Sequence, residues 1–181
     1  TALAAQDTLN TPDFRVFTSN DVIGVELCGA LKNIIALGAG IVDGLELGDN
    51  AKGAFIALGW AEMVSVGRAC GAEEATFYGV AGLGDLFTTC ASPLSRNHTV
   101  GYDLGRGKPL AEVIADTPNV AEGIDTTVGL INMARTLKLD LPITSLIYRV
   151  LYERVKPEDG VAQFRMLVSR QLVTDHQVRL L

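Results

Sequence analysis

The sequence predicts an all-α protein on three observations. From Asp21 onward apolar residues recur at helical spacing, residues that start and stop helices bound those stretches, and no later segment alternates as a strand does. The exception comes first. After the Pro12-Asp13 turn, Phe14, Val16 and Thr18 alternate with Arg15 and Phe17, which predicts a short strand. A lone strand has no partner, and the chain begins at Thr1 rather than at a methionine. The expectation is that residues 1–20 are the last strand and linker of a missing N-terminal portion, and that residues 21–181 form a helical domain.

Ser19, a good N-cap, and Asp21 in the first turn open a helix over about 21–42. The next spans about 50–70, with Asp49 or Asn50 as cap and Gly71 as stop, and a short helix follows near 73–79. Further helices are expected at about 84–91, 96–105, 109–115 with Pro109 in first position, 122–137, and 142–153 with Pro142 in first position. Ile143, Ile147, Val150 and Leu151 give the last of these the stripe of a core-facing helix. A final helix follows Pro157.

At 181 residues the chain is long enough to bury about 70% of its unfolded surface in one domain. Its residues are 48% hydrophobic and 6% aromatic, with 19 glycines and a net charge of −6, which describes a globular protein with a closely packed, small-residue interior and excludes a nucleic-acid binder. No charge-free apolar run reaches the roughly 20 residues that cross a bilayer, so no transmembrane segment is expected. Cys28, Cys70 and Cys90 form no CxxC pair and are odd in number, which suggests packing thiols in a reducing, cytoplasmic setting.

The first candidate for chemistry is Lys32. It is the only charged side chain between Leu27 and Val42, and Leu31, Ile34, Ile35 and Leu37 surround it nearly all round the helix. An ammonium on such a helix either snorkels to the surface or, if buried, loses its proton or finds a carboxylate, because unpaired burial costs several kcal/mol. A buried lysine beside Asn33 would make a useful acid/base. Asp85 is the better partner for it, since Glu26 lies about 120° off its face; alternatively Asp85 serves as a first-turn cap.

Residues 81–97, AGLGDLFTTCASPLSRN, carry the second signal. Thr88, Thr89, Ser92 and Ser95 lead to Arg96 and Asn97, and Arg96, His98, Arg106 and Lys108 make the segment locally basic. Arginine with neighbouring hydroxyls and amides suits an anion such as phosphate; the competing reading is a solvated loop. No nucleotide-binding fingerprint appears. Gly38-Ala39-Gly40 runs on to Asp43 inside a helical stretch, so these glycines are expected to allow close helix packing. His98 and His176 lie far apart, and no metal is expected.

Four stretches closely resemble the C-terminal substrate domain of NAD(P)-dependent glycerol-3-phosphate dehydrogenases: GVELCGALKNIIALGAGIVDGLELGDNAKGAFIALGWAEM, GVAGLGDLFTTCASPLSRNHTVG, NVAEGIDTT and LPITSLIYRVLYE. The resemblance covers about residues 14–155, and the spacing from Ser92-Pro93 to Arg96-Asn97 looks like the bacterial form. It implies a multi-helix domain of the 6-phosphogluconate-dehydrogenase-like type and a hydride transfer between NAD or NADP and the pair dihydroxyacetone phosphate / sn-glycerol 3-phosphate, for phospholipid head groups. Lys32 then matches the catalytic proton acceptor. Lys32, Asn33, Asp85, Thr89, Ser95, Arg96 and Asn97 match substrate-binding positions, and Arg96, Val120 and Glu122 match cofactor contacts. The family's Rossmann half, with its GxGxxG, is absent from this sequence, and Phe14 to Thr18 looks like its last strand. A homodimer is possible, and the competing reading of the chain is a helical dimerisation or packing module.

Overall fold

A computed structural model describes residues 1–116 and 121–175 as ten α-helices and one π-helical turn. They are α1 (Ala2–Leu9), α2 (Val22–Gly44), α3 (Asp49–Ala69), α4 (Glu74–Tyr78), the π-turn (Val80–Gly84), α5 (Asp85–Ala91), α6 (Arg96–Gly105), α7 (Leu110–Asp116), α8 (Glu122–Leu137), α9 (Pro142–Tyr152) and α10 (Pro157–Asp175). Every helix expected between residues 21 and 157 is present, to within about two residues at either end. No strand occurs among the described residues.

The sequence expectation fails at the N-terminus. Residues 2–9, rich in alanine and leucine, form α1, none of whose residues is buried. Residues 14–18 join no β-ladder. Instead Gln6 Nε2 donates to the Val16 carbonyl at 2.7 Å and Val16 N–H donates to Asn10 Oδ1 at 2.7 Å, so side chains of α1 and its cap satisfy the backbone that a neighbouring strand would have paired. Phe14 and Phe17 remain 60% and 73% exposed. Alternation alone makes no strand when no ladder partner is present.

α2 is the axis of the domain. Residues 33–42 are buried without a break, because α3, α5, α6, α8 and α9 all pack around it. The helix is long and apolar enough to cross a membrane, but 56% of its most apolar window is buried inside the protein, as befits a core helix. Its start is fixed by Asp21 rather than by Ser19. Asp21 Oδ1 accepts the Gly24 N–H at 2.9 Å, and Oδ2 accepts the Thr76 hydroxyl at 2.6 Å and the Glu73 N–H at 3.0 Å. One carboxylate thus joins the starts of α2 and α4, and the Thr76 hydroxyl above all holds its pKa below the ordinary value.

α6 lies against the C-terminal half of α2 along two facing pairs of glycines, Gly40 and Gly44 on α2, Gly101 and Gly105 on α6. A methyl group on any of the four would overlap backbone of the opposite helix: the carbonyl of His98 or Tyr102 for the first two, of Leu37 or Ile41 for the others. Two small residues spaced four apart on each helix let the backbones touch. Substituting Gly101 by Ala leaves the clash no flexible side chain to displace, so the domain should lose about 2 kcal/mol or more. Gly129, in α8, has open space where its Cβ would stand, and Gly129→Ala should stabilise by roughly 0.5–1 kcal/mol. Urea unfolding of the two variants gives opposite shifts if the seam is built as described.

α9 begins with Pro142 and has no cap from its own neighbours. Its donors are met from α3: the buried Glu62 accepts the Ile143 N–H, the Thr144 N–H at 3.0 Å and the Thr144 hydroxyl at 2.7 Å. Burial pushes this carboxyl up to about 7 against the opposing pull of those hydrogen bonds. A carboxyl whose pKa is higher folded than unfolded binds more protons in the native state, so its contribution to stability falls as pH rises from about 4.5 to about 7. Chemical unfolding at pH 5 and pH 8 should reveal a loss on the order of 2–3 kcal/mol from this group, and Glu62→Gln should flatten that slope whatever its absolute stability.

Candidate active site

Lys32 stands in the middle of α2, between the buried Leu31 and Asn33. Of the outcomes that burial allows a lysine, the structure shows pairing: its Nζ donates to Oδ2 of Asp85, with the lysine side chain 21% and the aspartate side chain 40% exposed. Asp85 is the first residue of α5, and the π-turn before it sets its position. The Trp60 indole N–H, bonded to the Phe77 carbonyl at 3.1 Å, secures the entry to that turn, and Gly82 packs so close to Phe77 backbone that a Cβ would overlap it. Thr89, one turn along α5, donates its hydroxyl to the Asp85 carbonyl at 2.7 Å and approaches Oδ1 at 3.3 Å. The Asp85 carboxylate is therefore engaged by Lys32 and Thr89 rather than capping its own helix, and the exposed Glu26 takes no part.

A second chain of hydrogen bonds begins at the next residue. Asn33 Nδ2 donates to the Gly29 carbonyl at 3.2 Å, Asn97 Nδ2 donates to Asn33 Oδ1 at 3.1 Å, and the Gly123 N–H donates to Asn97 Oδ1 at 2.9 Å. Three helices, α2, α6 and α8, are tied by two buried amides. Gly123 has to be glycine here, since a Cβ would lie 2.6 Å from the Asn33 carbonyl oxygen. Asn97 can reach inward because Ser95 caps α6, its Oγ accepting the His98 N–H at 3.3 Å. That leaves Arg96, first residue of the helix, pointing to solvent.

These groups enclose a cleft with about 430 Å³ of room. Lys32, Asn33, Thr89, Ser95, Arg96, Asn97 and Glu122 all line it, together with Thr88 and Ser92, while Asp85 pairs with Lys32 behind that lining. Val120 lies outside the described residues, as does His176. Sequence reasoning missed two lining residues. Gly29 sits three and four residues before Lys32 and Asn33, on their side of α2, and its lack of a side chain opens the floor; helical spacing alone could have found it. Leu94 is 89% exposed in the turn before α6, and no periodicity signals it.

The charges are unevenly met. Lys32 is balanced by Asp85, whereas no ion pair among the described residues engages Arg96, which shares the first turn of α6 with backbone N–H groups that attract anions. Glu122, at the start of α8, is the acid on the cleft lining. His98, next to Asn97, turns away from the cleft to Asp43. Cys28 and Cys90 are fully buried, and burial pushes their thiols up to about 11 and about 12, which leaves them unreactive.

Comparison with known proteins identifies the family. A family model described as the C-terminus of NAD-dependent glycerol-3-phosphate dehydrogenase matches residues 21–162. A Dehalococcoides mccartyi protein named glycerol-3-phosphate dehydrogenase [NAD(P)+] is 48% identical over 171 residues, 94% of this chain and 47% of its own length. Its namesake from Geobacter metallireducens is 52% identical over 152 residues, 84% of this chain and 45% of its own. Among solved structures, glycerol-3-phosphate dehydrogenase from Coxiella burnetii superposes with a TM-score of 0.85 at 36% identity, over 90% of this chain and 51% of that one. The yeast enzyme gives 0.81 at 30% identity, over 90% and 48%. The chain spans about half the length of the curated relatives it matches. It belongs to the family of the C-terminal domain of NAD-dependent glycerol-3-phosphate dehydrogenases.

Proposed function

We propose that this chain is the substrate-binding and catalytic half of a dehydrogenase that interconverts dihydroxyacetone phosphate and sn-glycerol 3-phosphate with NAD or NADP, in the cytoplasm and in the service of phospholipid synthesis. The observation that carries the reading is the Lys32–Asp85 pair on a polar cleft whose lining also presents Arg96 at a helix N-terminus. Reduction of a ketone at C2 needs a proton at the carbonyl oxygen as hydride arrives at carbon. The Lys32 ammonium donates that proton, and the amine takes it back when the alcohol is oxidised. Asp85 balances the ammonium and fixes its direction, with Thr89 steadying the carboxylate. Arg96 and the α6 N-terminus take the phosphate, and Asn97 and Asn33 form the polar wall between them.

The nicotinamide cofactor supplies the hydride when bound. Arg96 and Glu122, on the cleft lining, are the residues among those described that would meet it. No glycine-rich strand-to-helix turn occurs among them to hold a pyrophosphate. Residues 1–20 form a separate segment on this reading, in keeping with a family match that starts at residue 21.

In a full-length enzyme carrying this domain, Lys32→Met keeps side-chain volume and removes the proton carrier, so kcat should fall by about 10²- to 10⁴-fold while the far-ultraviolet spectrum and unfolding midpoint stay close to wild type. A variant keeping more than about a tenth of the rate would remove Lys32 from the chemistry.

The chain by itself should neither oxidise NADH in the presence of dihydroxyacetone phosphate nor bind NADH with micromolar affinity, because hydride transfer needs the cofactor anchored about 3–3.5 Å from the reacting carbon. Titrating the chain against NADH fluorescence checks this. Tight binding or turnover would put the main cofactor site within these 181 residues.

A further inference from the structure

Asp43 occupies an unfavourable place. It is in the last turn of α2, where the unpaired carbonyls of a 23-residue helix make a negative end, and a lysine or arginine would be the stabilising choice there. The acid is met instead by two donors from two other helices on a single oxygen: Lys52 Nζ of α3 lies 2.6 Å from Asp43 Oδ2, and His98 Nε2 of α6 lies 2.7 Å from it. All three side chains are largely withdrawn from solvent, at 28%, 19% and 14% exposure for Asp43, Lys52 and His98. Burial works to raise the Asp43 carboxyl, yet the bonds from Lys52 and His98 hold it below its ordinary value.

His98 is also the residue after Asn97, and its backbone is pinned on both sides. Its N–H goes to Ser95 Oγ, and its carbonyl abuts Gly40. The glycine seam sets how close α6 comes to α2, but a seam without side chains has no knob to fix how α6 is turned upon it. Polar contacts between helices specify register where apolar packing does not. Here Asn97 reaches the cleft from one side of α6, and His98, about 100° further round, reaches Asp43 on the other.

We propose that Asp43 and His98 are positioning residues of the cleft: their contact, backed by Lys52, fixes the rotation of α6 on α2 and so presents Asn97 and Arg96 to the substrate. The proposal rests on the reading of the cleft as a substrate site, but its geometry is testable without substrate. The Gly123 N–H, bonded to Asn97 Oδ1, reports on whether α6 is correctly turned.

The test is amide hydrogen exchange by NMR on the chain as it stands, comparing Gly123 with Ile147, a fully buried position of α9 expected to exchange by global opening. In Asp43→Asn and in His98→Ala, Gly123 should exchange about tenfold faster relative to Ile147 than in wild type, and the Asn97 side-chain amide resonances should move. His98→Gln, which keeps a side-chain N–H able to reach Asp43, should restore both. Acceleration of Gly123 and Ile147 by the same factor, or of neither, would show that the contact stabilises the fold without setting the site. Should Asp43→Asn fail to fold, the His98→Ala and His98→Gln pair decides alone. Failure here counts against the positioning role only, and an unimpaired Lys32→Met enzyme counts against the functional reading only.

Discussion

The approach of α6 to α2 is the constraint from which the site follows. Where Gly40 and Gly44 face Gly101 and Gly105, backbone meets backbone, and any larger residue would push the helices apart. Because the seam lies along the second half of α2, the N-terminus of α6 arrives opposite the middle of that helix. This puts Asn97 within hydrogen-bonding distance of Asn33 and sets Arg96 on the cleft that Lys32 lines. A domain with an ordinary side-chain layer between these helices would hold the same residues too far apart to share a network. The closeness also explains why a chain with 19 glycines makes a stable helical core: several of them mark contact points between helices rather than flexible joints.

Placing a lysine on the most buried helix has a cost that the neighbouring elements offset. From residue 33 to residue 42 α2 is buried without a break, and Gly29, Lys32 and Asn33 border the cleft where that buried stretch begins, across from residues of α5 and α6. The π-turn matters for the same reason. Its wider hydrogen-bonding pattern delivers Asp85 to the lysine at the start of α5, the kind of irregularity that recurs where a backbone must place a functional group. Lys32 and Asp85 lie 53 residues apart in sequence, on two different helices, so the pairing exists only once the helices have docked.

Much of this was legible in the sequence, and the misses share a cause. Caps, stops and apolar spacing placed the helices from residue 21 onward because those signals are local. Lys32 stood out because a charge in a long apolar run is a local anomaly, and Asp85 followed as its counter-charge by elimination of Glu26. The strand over residues 14–18 was misread because alternation describes a segment and not its partner; Gln6 and Asn10, which meet its backbone, could not be assigned before α1 was known to form. α1 itself carries no apolar stripe. Glu62 reads as one more helix-surface acid, and its role as cap of α9 arises only from the docking of α3, 81 residues from its partner. Val120, singled out by resemblance alone, lies outside the described residues.

Three carboxylate ties among the described residues form a pattern. Asp21 joins the starts of α2 and α4, Glu62 holds the start of α9 from α3, and Asp43 gathers α2, α3 and α6; in each, one carboxylate accepts several hydrogen bonds and links at least two helices. A carboxylate accepts in several directions at once, so it joins helices whose seams are otherwise smooth and apolar. Where the seam lies far from the cleft, as at Glu62, the tie bears on stability alone. Where it holds a helix that lines the cleft, as Asp43 holds α6, the same chemistry orients the cleft residues on that helix. Stability and function are thus separable in this domain by distance from α6: a disturbed cap at α9 should leave the Asn33–Asn97–Gly123 chain intact, whereas a disturbed tie at Asp43 reaches that chain through α6, which carries both His98 and Asn97.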